Sequence, residues 1–268
     1  MGRRRRTGAP AEVRLYRGEV LRTEQLSPHW QRVTMAGPAL AAFPWQGFDH
    51  WFRLFVPRKG QAGLVLPELS GEEWWPPYLA LGEEERPHCS NYTVAAYRAD
   101  VAELDIDLVL HRDASGALEG EAAVWACRTR PGDPVAILDQ GTIFDPPANA
   151  RRFVVVADET GLPGVRNILR DLPTEAEGQV VLEVPTPADR CELSAPTGVE
   201  VRWVDRVARP GEAALAELDR WEPLDPETYG YVVGESSLAT GGRRRLHRLG
   251  VPKDRITFSG YYKLEPAG

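Results

Sequence analysis

The chain is 268 residues long, with a net charge of −7, 26% charged residues and 43% hydrophobic ones. That length suits two compact domains, the composition excludes fibrous and disordered classes, and the acidic balance argues against nucleic acid as the main partner. No apolar run reaches the ~20 residues that span a bilayer, and Cys89, Cys127 and Cys191 form no CxxC pair, so a cytoplasmic chain is expected, with no membrane insertion, metal site or disulfide framework.

At the N-terminus "GRRRR" precedes the charged stretch "AEVRLYRGEV". A twin-arginine export signal needs an apolar segment there, so Arg3 to Arg6 read as part of a disordered basic tail over residues 1–11. From Val13 to about Leu138 short strand patterns follow, divided by Gly and Pro: "EVRLYRGEVL", "WQRVTMAG", "WFRLFVP", "NYTVAAYR", "ELDIDLVLH" and "PVAILDQG". In "ELDIDLVLH", Leu104, Ile106, Leu108 and Leu110 share one face, with Asp105 and Asp107 on the other. Such a series predicts a small antiparallel barrel. Between its strands, "GLVLPELSGEEWWPPYLALGEEERP" reads as a long loop. "GEAAVWACRTRPGD" reads as one helix, entered at Gly120 and stopped by Pro131-Gly132.

The second half alternates. Strand "RFVVVAD" leads into helix "TGLPGVRNILRDLP", where Val165, Ile168, Leu169 and Leu172 recur at helical spacing. Strands "QVVLEVP" and "VEVRWVDR", helix "GEAALAELDRW", strand "YGYVVGE", helix "SLATGGRRRLHRLG" and strand "RITFSGYY" complete it. This order predicts a largely parallel open sheet with helices on its faces. The boundary falls in "FDPPANARR", around Asn149, which assigns 12–149 to the barrel domain and 150–268 to the α/β domain. Asp158, Glu159 and Thr160 fall at the first strand–helix turn, beyond a strand's carboxyl end, where open sheets bind ligands; capping of helix amides by Asp158 or Thr160 is equally compatible. No GxGxxG fingerprint is present.

Seven segments in this order, "FDHWFRLFVP", "NYTV", "ELDIDLVLH", "GEAAVWACRTRPGD", "VVVADETGLPGV", "GYVVGE" and "RITFSGYYK", resemble the siderophore-interacting protein family. That family is a branch of the ferredoxin reductase-like flavoenzymes, and the resemblance runs from about Val20 to Lys263. It implies a two-domain fold: an antiparallel β-barrel FAD-binding domain, then an α/β open-sheet nucleotide-binding-like domain whose C-terminal segment lies near the flavin. In the family's Arg-x-Tyr-Thr pattern, Tyr92 takes the place of the residue against the isoalloxazine, with Thr93 and Val94 beside it. A half-buried strand tyrosine is the plain alternative. The pattern's Arg is Ser90 here, and Ala95 stands where a basic residue is common. One lost charge-assisted hydrogen bond is worth ~1.5–3 kcal/mol, roughly a tenfold or greater loss of FAD affinity; Arg86 and Arg98 are candidates to compensate.

The resemblance further places Leu110 and His111 on the adenine side of FAD, and Gly120, Ala122 and Ala123 at a helix start facing its pyrophosphate, with Trp125 as an anchor. Asp158, Glu159, Thr160, Tyr261 and Tyr262 are implied as further flavin contacts, and Gly234, Glu235 and Ser236 as an NAD(P)H pocket. Arg53 and Lys263 are the implied substrate-binding cations. The implied activity is a monomeric, FAD-dependent reductase of ferric siderophores that releases iron as Fe(II), with NAD(P)H or a ferredoxin as electron donor. It requires no catalytic acid or base. A general NAD(P)H:flavin reductase and a non-catalytic ferric-siderophore-binding module are the two rival readings.

Overall fold

The computed structural model describes residues 8, 10, 12–69, 73–113 and 115–264. Most of the expected basic tail, residues 1–7, 9 and 11, lies outside the described residues. By contact the chain forms two units, one from 1–46 and 50–142, the other from 47–49 and 143–268. Among the described residues no helix is long and apolar enough to cross a membrane.

The first unit is a closed antiparallel barrel of six strands: β1 (Leu15–Ser27), β2 (Trp30–Ala36), β3 (Trp51–Val56), β4 (His88–Arg98), β5 (Glu103–Val109) and a last strand, Pro134–Asp139. Its order is β1, β2, β5, β4, β3, last strand, closing on β1. The period-two pattern of β5 sends Leu104, Ile106 and Leu108 into a core shared with Val33, Phe52, Leu54, Val94 and Ile137. The alternate residues Asp105 and Asp107 point away from that core, yet each is only 3% exposed. The reason is cross-strand. Arg32 of β2 grips Asp107 through two bonds of 2.6 and 2.8 Å, and Arg98 of β4 grips Asp105 through two of 2.9 and 2.6 Å. Thr34 adds a third bond to Asp105, at 2.7 Å.

The stretch expected as a long loop contains a short helix, α1 (Trp75–Ala80). Its Pro76 and Pro77 occupy the first turn, where a missing N–H costs nothing. Tyr78 anchors α1 beside Phe55 and donates to the Pro87 carbonyl at 2.9 Å. After β5 a two-strand ribbon, β6 (His111–Arg112) with β7 (Leu118–Glu119), leads into α2 (Glu121–Arg128).

The second unit is a five-stranded parallel sheet. Its strands are β9 (Arg152–Ala157), β10 (Glu177–Val184), β11 (Gly198–Asp205), β12 (Tyr229–Glu235) and β13 (Ile256–Tyr262), once the last barrel strand is numbered β8. The order is β11, β10, β9, β12, β13, so the direction of winding reverses between β9 and β12. Helices α3 (Leu162–Asp171), α4 (Glu212–Leu218) and α5 (Ser236–Arg248) supply the crossovers. Three residues from the β2–β3 connection, Gly47–Asp49, belong to this unit. Asp49 is 1% exposed and accepts the N–H groups of Ile143 and Phe144, at 3.2 and 3.0 Å, and the Tyr231 hydroxyl at 2.7 Å. Phe48 adopts φ +47°, its N–H held by Asp171 at 2.7 Å.

Burial alone would raise the Asp105 carboxyl, but Arg98 and Thr34 outweigh it and hold it below the usual aspartate range. Its stabilisation is therefore complete above that range and is lost as pH falls through the lowered value. Asp105→Asn is expected to cost about 2 kcal/mol in urea unfolding at pH 7, with the gap from wild type closing at strongly acid pH.

Candidate functional site

Strand β4 has two chemically distinct faces. Its pairing with β3 sets His88 opposite Val56, Ser90 opposite Leu54 and Tyr92 opposite Phe52. Those three β3 residues are barrel core, so His88, Ser90 and Tyr92 share their side of the ladder. Tyr92 is half-buried and packs on that core. Burial pushes its pKa up to about 12, against the pull of a hydrogen bond with Ser90. His88 Nε2 lies 3.0 Å from the Ser90 hydroxyl, and burial lowers its pKa despite the nearby Glu121 carboxylate. The three side chains thus form a polar ridge that starts at a histidine.

Helix α2 packs against this strand. Its N-cap, Gly120, has φ +85° and offers no side-chain cap, and a Cβ there would meet nothing within 4 Å. The amides of Glu121, Ala122 and Ala123 open the helix and lack the intrahelical partner that Val124 has in the Gly120 carbonyl at 3.0 Å. His111 pairs with Glu119 across the β6–β7 ribbon, next to Gly120. Trp125 is 2% exposed in the barrel core, and its indole N–H is buried without a partner.

Other expected positions are placed as core. Val94 is fully buried with its N–H on the His50 carbonyl at 2.9 Å, Leu110 is 2% exposed with its N–H on His29 at 2.8 Å, and Ala95 is buried at a bulge in β4. Both arginines suggested as stand-ins for the missing one have partners in the barrel unit. Arg86 donates to the carbonyls of Leu79 and Leu81, at 2.8 and 2.9 Å, at the end of α1. Arg98 is committed to Asp105 and Glu103.

The opposite face of the β3–β4 pair carries Trp51 beside Thr93 and Arg53 beside Asn91. Thr93 is buried at 6% exposure. The Arg53 guanidinium lies 4.2 Å from the Trp74 ring centre and 5.8 Å from that of Trp51, and donates to Asn91 at 3.1 Å. Its Nε is buried without a partner, and burial lowers its pKa. The guanidinium thus lies against two indole rings and pairs with no carboxylate among the described residues. Trp74 and His88 were not among the residues singled out from the sequence.

In the second unit the site residues gather where the winding reverses, the crevice in which open sheets bind ligands. Asp158, fully buried at the end of β9, accepts the Thr160 N–H and hydroxyl (2.9 and 2.5 Å), the Glu235 N–H (2.6 Å) and the Tyr262 hydroxyl (3.3 Å). Gly234, at φ +130°, is what allows this: a Cβ there would sit 2.5 Å from Asp158. Ser236 donates to the Tyr262 carbonyl at 2.7 Å, and the Glu235 carboxylate caps α5 through the Ser237 N–H. Thus Asp158, Thr160, Gly234, Glu235, Ser236 and Tyr262 come together. Glu159 turns elsewhere: it is fully buried and pairs with Arg206, which also holds Glu183 at 3.1 Å. Tyr261 meets Tyr231, hydroxyl to hydroxyl at 3.2 Å, and Lys263 is exposed.

Comparison with known proteins adds to this geometry. Residues 19–142 match the siderophore-interacting FAD-binding domain, and residues 150–265 match the siderophore-interacting protein domain. A ferric vibriobactin reductase of Vibrio cholerae is 26% identical over 253 residues, spanning 91% of this chain and 88% of that protein. An NADPH-dependent ferric-chelate reductase of Escherichia coli is 28% identical, with 91% of each chain covered. The crystal structure of the siderophore-interacting protein SipS from Aeromonas hydrophila superposes with a TM-score of 0.74 at 29% identity, covering 95% of this chain and all of that one.

Burial, then the neighbouring Glu159 charge, pushes the Asp158 carboxyl up to about 7. An acid raised on folding binds its proton more tightly in the native state, so it costs stability as pH climbs from the usual aspartate range to about 7. Asp158→Asn is expected to lower the thermal midpoint overall and to flatten its decline between about pH 4 and pH 7; an unchanged slope would refute the assignment.

Proposed function

The chain belongs to the siderophore-interacting protein family, and from that premise we propose that it is a flavin-dependent reductase of ferric siderophores. The observation that carries this reading is the pairing, within the barrel, of an uncapped helix start with a half-exposed tyrosine on the adjoining strand. FAD needs an aromatic face for its ring system and donors for its pyrophosphate. Tyr92 offers the first, and the amides of Glu121, Ala122 and Ala123 the second. These residues fit the group. His88 and Ser90 extend the polar edge where the family's arginine would stand.

When bound, FAD supplies exchange between a two-electron donor and one-electron ferric iron. The protein's own part is binding and orientation. The crevice around Asp158, Thr160, Gly234, Ser236 and Tyr262, at the reversal of winding in the sheet, suits a nicotinamide nucleotide. Arg53, beside Trp51 and Trp74, would take the anionic chelate. Weaker chelation of Fe(II) than of Fe(III) by oxygen ligands then lets the metal leave.

The test is spectroscopic. Protein saturated with FAD should show flavin bands that bleach with NADPH or NADH and return on adding a ferric siderophore. Bands restored only by free flavin would assign a general flavin reductase. A chain that binds the ferric chelate yet takes up no FAD would assign a binding module. Ser90→Arg returns a cation to the β4 ridge and is expected to tighten FAD roughly tenfold, and Tyr92→Ala to weaken it by a similar factor, both read as flavin dissociation constants.

A further inference from the structure

A cavity of about 720 Å³ opens on the second unit beside α5. Its rim carries Arg243, Arg244, Arg245, His247 and Arg248 of the helix, with Lys253 just beyond it. No carboxylate lines it. Cations in the last turn of a helix complement its dipole, and Arg245, His247 and Arg248 are accounted for in that way. Asp219 further neutralises two of them, holding Arg245 through two bonds of 2.9 Å and Arg248 at 3.3 Å. The remaining three are not balanced by either effect. Arg243 lies over the Phe258 ring at 4.7 Å, with its Nε buried and partnerless. Arg244 donates to the Thr240 carbonyl at 3.2 Å, and Lys253 is exposed.

Crowding like charges around one concavity raises the energy of the empty site, and a polyanion relieves it. The chain as a whole carries a net charge of −7, so this positive concentration is local rather than a consequence of composition. The cavity volume falls within the ~300–1,000 Å³ typical of small-ligand sites. Its concave shape favours a small molecule over a flat protein surface. Guanidinium forks match phosphate oxygens in pairs. We propose that this cavity is a binding site for an oligophosphate, either an inorganic chain or the phosphate tail of a nucleotide. The site is independent of the reductase reading, since none of its residues belongs to the barrel ridge or to the group around Asp158.

The test is calorimetric titration of the FAD-loaded protein with sodium tripolyphosphate, and separately with ATP, at low ionic strength. Saturable one-to-one binding is expected, weakened at least tenfold in the double variant Arg244→Ala, Lys253→Ala. Both side chains are exposed and leave the Asp219 pairs intact, so an unchanged thermal midpoint will verify that the variant is folded. ATP binding tenfold tighter than tripolyphosphate would identify a nucleotide as the ligand; equal affinities would identify the phosphate chain alone. Absence of saturable binding with both probes, or equal affinity in the variant and the wild type, would overturn the proposal.

Discussion

A carboxylate removed from water must be surrounded by donors, and Asp49 shows how far the second unit is organised by that demand. It lies 94 and 95 residues before the two main-chain N–H groups it accepts, and it takes the Tyr231 hydroxyl as well. The three-residue segment that carries it is held in turn by Asp171, whose carboxylate also sits where a side chain on Gly47 would clash. The same device recurs along the carboxyl ends of the strands. Asp158 gathers the backbone after β9 and β12, Glu183 receives the first amides of α4 at 2.8 and 3.1 Å, and Glu235 caps α5. Each carboxylate closes a strand and opens a helix. The carboxyl edge of the sheet is thereby tied together by carboxylates that engage the neighbouring amides and hydroxyls.

The barrel solves the complementary problem. Its ridge of His88, Ser90 and Tyr92 is internally bonded but uncharged, and the donors it adjoins are main-chain amides at a helix start. On the proposed reading, a nucleotide cofactor on this surface would be held by dipoles and ring contact. Both arginines close in sequence are bonded within the fold: Arg86 to carbonyls at the end of α1, and Arg98 to a buried aspartate.

Much of this was legible in the chain. Alternation in "ELDIDLVLH" gave the inward face of β5, and strand–helix alternation after Arg152 gave the parallel sheet, because each pattern records burial on one side of a local element. What depends on register was not legible. Asp105 and Asp107 read only as the face opposite the apolar one; pairing with β2 brings Arg32 to Asp107, and pairing with β4 brings Arg98 to Asp105. The Trp-Trp-Pro-Pro stretch read as loop, since paired prolines suggest a break, although both fit the first turn of α1. Trp74 escaped notice for that reason. His88 had a signal: counting back by two from Tyr92 through Ser90 reaches it on the same face. Asp49 stood in the family-like segment "FDHWFRLFVP", but its partners lie 94 and 95 residues further on and were not legible.

The central claim is that the start of α2 and the inner face of β4 form the flavin cradle. Amide hydrogen exchange with and without FAD measures this directly, because main-chain donors engaged by a ligand exchange more slowly. The account requires slower exchange at residues 121–123 and along 88–93 when the flavin is present. Flavin binding that leaves exchange in both stretches unchanged would contradict it.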